Sequence, residues 1–114
     1  MPYIQTKANV EITKEQEKNI KTALGKAIAL IPGKSEAWLM CEIEGGKNLY
    51  FAGNGDAPCA YNEVKILGNA NEADCNTLTG EICRILNEEL GIAQDKIYVK
   101  YEMCSVWGWN GSNF

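Results

Sequence analysis

The chain has 114 residues, 46% of them hydrophobic and 23% charged, with a formal net charge of −4. Those values describe one ordered domain around one core and exclude a disordered chain. The acidic balance excludes the clustered positive charge of a nucleic-acid-binding surface, and no apolar run is long enough to cross a bilayer.

Residues 2–10 are short, mixed and β-compatible. Thr13 offers an N-cap with Gln16 three residues on, the spacing of a capping box. Ile20, Ala23, Leu24, Ala27, Ile28 and Ile31 then recur at steps of three and four, which predicts an amphipathic helix stopped by Pro32-Gly33. Residues 38–44 begin with the apolar run Trp38-Leu39-Met40-Cys41 and read as a strand buried on both faces at its start. Gly45-Gly46-Lys47-Asn48 is turn material, and residues 49–52 read as a second short strand completing a hairpin. After another turn at residues 53–56, residues 59–67 alternate loosely and predict a strand ending at Gly68. Asn71 caps a second helix with Leu78, Ile82, Ile85, Leu86 and Leu90 as its stripe, and Gly91 stops it. Residues 97–101 form the last predicted strand, ahead of a tail containing Trp107, Trp109 and Phe114.

Strands joined by helices predict parallel crossovers, with both helices on one face of a sheet, hence an α+β two-layer sandwich over residues 1–114. The other sheet face is left open. Trp38, Leu39, Met40, Leu49, Phe51, Trp107 and Trp109 are a large apolar load for one small core, which points to a homo-oligomer.

The five cysteines, at 41, 59, 75, 83 and 104, are odd in number and form no C-x-x-C pair. They read as small core residues rather than a disulfide framework or a redox motif. The chain contains no histidine, which removes the usual zinc partner and every Ser-His or Cys-His pair. Acid-base chemistry falls instead to carboxylates, lysine, tyrosine, cysteine or a terminal amine. The opening Met1-Pro2-Tyr3-Ile4-Gln5-Thr6-Lys7 has no basic segment followed by an apolar one. The expected compartment is therefore cytoplasmic, with export lacking a signal peptide as the alternative.

Met1-Pro2 opening a strand, Gly33-Lys34 after the first helix, Pro58-Cys59-Ala60 before a strand ending at Leu67-Gly68, Asp95-Lys96-Ile97-Tyr98-Val99, and Gly108-Trp109-Asn110-Gly111-Ser112 occur in that order. Together they resemble the macrophage migration inhibitory factor family of the tautomerase superfamily. The resemblance implies a β-α-β-β-α-β protomer, a homotrimer whose sheets form a central barrel, and active sites between subunits. It implies keto-enol tautomerism of phenylpyruvate-like α-keto acids and dopachrome-like compounds, with no cofactor or metal. Because some members act as cytokines, the competing implication is a receptor-binding module with a vestigial pocket.

Carried onto this sequence, the resemblance makes Pro2 the general base once Met1 is removed. An α-amine has a pKa near 8, and an apolar pocket beside a cation lowers it further. Lys34 is implied to bind the substrate carboxylate, Leu67 to offer its backbone N–H, and Tyr98 to wall the pocket from across the interface. Lys100 departs from the asparagine of better-known members. Two residues from Tyr98 in a strand, it is expected on the same side. There it would strengthen selection for carboxylates and lower the proline pKa. Relatives with C-A-x-C carry a second thiol. Here the run is Cys59-Ala60-Tyr61-Asn62, so thiol-disulfide activity is not expected. Asn110-Gly111-Ser112 is formally a glycosylation sequon and reads as a turn.

Overall fold

The computed structural model describes every residue from Met1 to Phe114. Strand β1, Pro2–Ala8, alternates strictly: Pro2, Ile4, Thr6 and Ala8 turn inward, while Tyr3, Gln5 and Lys7 turn to the opposite face. Helix α1, Lys14–Ala27, starts at the Thr13 cap, whose hydroxyl accepts from the Gln16 N–H at 3.1 Å. The Gln16 side-chain Oε1 accepts from the Thr13 N–H at 2.9 Å, closing the capping box. The helix tightens into a 3₁₀ turn over Ile28–Leu30 and leaves helical geometry at Ile31, the residue before Pro32, where the proline ring disfavours it.

Strand β2, Met40–Glu44, lies parallel to β1, and β3, Ala60–Leu67, lies antiparallel to β1 on its other side. Helix α2, Glu72–Leu90, runs from the Asn71 cap to Gly91, which takes the left-handed conformation at φ 68°. Strand β4, Ile97–Cys104, then adds parallel to β3, giving the sheet order β2-β1-β3-β4. Two β-α-β units thus meet antiparallel through β1 and β3. Ile20, Leu24 and Ile28 from the first unit and Leu78, Ile82, Ile85 and Leu86 from the second pack on Ile4, Val64 and Ile66. The chain ends in a small hairpin of β5, Gly108–Trp109, and β6, Ser112–Asn113. Asn110 and Gly111 both have positive φ at its turn, as a two-residue type I′ connection requires.

The predicted hairpin over residues 38–52 does not form. Residues 36–38 make a 3₁₀ turn, β2 begins at Met40, and Trp38 and Met40 are 47% and 68% exposed. Strand β2 is an edge strand of the sheet. Residues 49–52 are not a strand either. Asn9 captures the carbonyls of Leu49, Gly55 and Ala57 through Nδ2, and its Oδ1 accepts from the Cys59 N–H at 2.8 Å. These side-chain bonds satisfy loop backbone that a ladder would otherwise serve. The order of the main elements is therefore β-α-β-β-α-β.

Cys59, Cys75 and Cys83 are buried, as expected of core residues, while Cys41 is half-buried and Cys104 exposed. Burial pushes the Cys41 thiol up to about 11.

Candidate active site

Pro2 sits at the start of a central strand, opposite Ile66 of β3. It is buried and forms part of a cleft of about 630 Å³. Aromatic and apolar walls come from Trp38, Leu39, Met40, Trp107 and Trp109, with Tyr3 and Lys65 as the polar lining. Trp109 packs edge-on against Trp38 with ring centroids 5.0 Å apart, and its other neighbour Phe114 lies stacked at 5.9 Å. The C-terminal hairpin therefore closes one side of the cleft.

Lys34 reaches this end of the sheet because Gly33, at φ 82°, turns the chain back after the first helix. Its ammonium donates to the Leu67 carbonyl at 2.9 Å. The Leu67 N–H donates to the Met1 carbonyl at 3.1 Å. Gly68, at φ 85°, then turns away and donates to the Cys104 carbonyl at 2.8 Å. The Met1 amine is held below its ordinary value of 8.0, first by burial and then by the charge and hydrogen bonding of Lys34. Pro2, Lys34 and the Leu67 backbone are thus brought together.

Tyr98 and Lys100 are not brought to Pro2 in this chain. Ile66, the partner of Pro2, pairs with Met103 on β4, five residues beyond Tyr98. That separation is about 16 Å along the strand. Both side chains leave by the open face, as their spacing requires. Tyr98 leans on Phe51, with ring centroids 5.2 Å apart, and Lys100 pairs with Glu102 at 3.5 Å. Lys96 lies over the Phe51 ring at 5.3 Å.

Tyr3 and Lys65 were not singled out by sequence reasoning, although each carried a signal. Tyr3 follows Pro2, and Lys65 stands two residues before Leu67. The Tyr3 hydroxyl donates to Glu42 Oε1 at 2.5 Å, and Gln5 Nε2 donates to the same oxygen at 3.1 Å. These bonds hold the Glu42 carboxyl down to about 2, while Glu42 pushes the Tyr3 phenol up to about 12. Lys65 pairs with Glu63 at 3.4 Å.

Comparison with known proteins agrees with this architecture. The macrophage migration inhibitory factor of Meriones unguiculatus is 28% identical over 116 residues, covering 100% of this chain and 99% of that protein. D-dopachrome decarboxylase-B of Xenopus laevis is 26% identical over 115 residues, covering 98% and 96%. The crystal structure of Leishmania major MIF2 superposes with a TM-score of 0.92 at 31% identity, covering 100% of this chain and 97% of that one. The family model described as Macrophage migration inhibitory factor (MIF) matches residues 1–114, and the chain belongs to that family.

Proposed function

We propose that the chain is a keto-enol tautomerase for aryl 2-oxo acids, with Pro2 as its general base after removal of Met1. The observation that carries this reading is what Met1 occupies. Its acyl bond makes the Pro2 nitrogen an amide, and its carbonyl takes the Leu67 N–H. Its amine lies beside Lys34. Removing that one residue frees a secondary amine, a backbone donor and the approach to an ammonium group, all around the place that Met1 fills.

The chemistry follows from those groups. A neutral Pro2 nitrogen takes the proton from the carbon next to the carbonyl and returns it to oxygen, and the reverse path yields the keto form. Lys34 pairs with the substrate carboxylate, and its charge keeps the amine neutral near physiological pH. The Leu67 N–H bonds a substrate oxygen. Trp38, Trp107 and Trp109 give the aryl ring an apolar, aromatic wall. Similarity to a D-dopachrome decarboxylase supports this general class of chemistry.

Tyr98 and Lys100 complete the site from a neighbouring copy in an oligomer, the homotrimer that the family resemblance implies. Their distance from Pro2 within one chain supports this, as do the exposed Trp38, Met40, Trp109 and Phe114. Phenylpyruvate ketonisation by the Met1-free protein and by Pro2→Gly tests the proposal. The substitution is expected to lower kcat/KM by about a hundredfold or more. Equal rates would remove the proposed base.

A further inference from the structure

Thr6 and Asn62 are the polar residues with no exposed surface in an otherwise apolar core. They face each other in register across β1 and β3, on the helix-covered side. The Thr6 hydroxyl donates to Asn62 Oδ1 at 2.7 Å, and Asn62 Nδ2 donates to the Tyr98 carbonyl at 3.0 Å. A single chain of hydrogen bonds thus crosses from β1 through β3 to the edge strand β4 and ends on the backbone of Tyr98.

Stability gives no reason for this pair. A buried amide is costly unless its bonds are made, and replacing both partners with apolar groups of similar shape is close to neutral. A valine and a leucine would suit a core of isoleucines and leucines as well. The informative feature is where the amide points. Tyr98 stands on the outermost strand, its side chain leaves by the face opposite Asn62, and it is 61% exposed. Phe51 supports its ring on one side. The orientation of so exposed a ring depends on how firmly its backbone is held.

We propose that Asn62 is a positioning residue for Tyr98. By bonding the Tyr98 carbonyl from inside the core, it fixes the edge strand at that residue and presents the phenol in one orientation to an aryl 2-oxo acid. Thr6 holds the Asn62 amide in the rotamer that does this. The catalytic consequence rests on the reading of Tyr98 as part of the substrate site. The hydrogen bond and its effect on Tyr98 do not.

Asn62→Leu alone strands the Thr6 hydroxyl without its acceptor and risks misfolding, so the informative variant is Thr6→Val with Asn62→Leu, which removes both side-chain partners together and leaves only the Tyr98 carbonyl without its side-chain donor. Steady-state phenylpyruvate kinetics are measured for this variant, for Tyr98→Ala, and for the three substitutions together. Loss of one net hydrogen bond's worth of positioning is expected to raise KM about fivefold, with kcat little changed. It should raise KM no further when Tyr98 is already alanine. An unchanged KM, or the same rise in both backgrounds, overturns the proposal. The second measurement needs no activity: the Tyr98 carbonyl carbon resonance and the ring relaxation rates, by nuclear magnetic resonance. The variant should shift the former and show faster ring motion in the latter. If neither changes, Asn62 does not position Tyr98. If both change in a protein that ketonises nothing, the positioning role stands and the tautomerase reading falls.

Discussion

With Met1 attached, the Pro2 nitrogen is an amide and the Leu67 N–H is already bonded, so in the proposed mechanism processing decides the chemistry at the scale of single atoms. The Met1 amine, one residue before the proposed base, has its pKa lowered by burial first and Lys34 second. A cation beside an amine disfavours its protonated form. Lys34→Met should therefore raise the pKa of the base and move the acidic limb of the kcat/KM profile to higher pH. It should also raise KM for phenylpyruvate about tenfold, as the carboxylate loses a charge-assisted bond. An unshifted limb would show that Lys34 does not tune the amine. The Tyr3–Glu42 bond has a separate signature. Glu42, held below its ordinary 4.5, stabilises the fold above that pH, and the contribution is lost as pH falls toward about 2. Tyr3, raised from 10.0, stabilises below that pH, and the contribution is lost as pH climbs toward about 12. Urea midpoints measured from pH 2 to 5 should depend less on pH in Tyr3→Phe than in the parent.

At the scale of elements, what could be read from the sequence was what neighbours in sequence decide. Thr13 with Gln16, Asn71, Gly91 and the Asn110-Gly111 turn all act within a few residues, and each forms as its local chemistry dictates. The strand over residues 49–52 was a misreading because its alternative partner, Asn9, lies some forty residues away. No window of local pattern contains that competition. Thr13→Ala should cost about 1 kcal/mol through loss of the capping box, and Gly91→Ala about 1 kcal/mol because alanine is strained at φ 68°. Both should appear as lower urea midpoints with an unchanged m-value. A change in m would instead signal a looser native or denatured state.

At the scale of the whole molecule, periodicity alone indicated a sheet with helices on one face. The family resemblance added which residues to examine. The resemblance put Tyr98 across an interface from the pocket, but the distance of Tyr98 and Lys100 from Pro2 within the chain is set by strand register, which is fixed here by pairings between segments far apart in sequence. The cleft walls were hidden for a related reason: Trp38 and Trp109 meet only because the C-terminal hairpin folds back over the start of β2. The separation of about 16 Å between Pro2 and Tyr98 along the sheet also has a consequence that genetics can read. If each chain lends its two ends to different sites, Pro2→Gly and Tyr98→Ala are defects in separate halves, and mixed assemblies should complement one another. Unfolding and refolding the two variants together at equal amounts should rebuild fully wild-type sites at about a quarter of the subunit contacts, whereas each variant refolded alone should build none. Two damaged alleles would then support each other in one cell, and neither would behave as a simple loss.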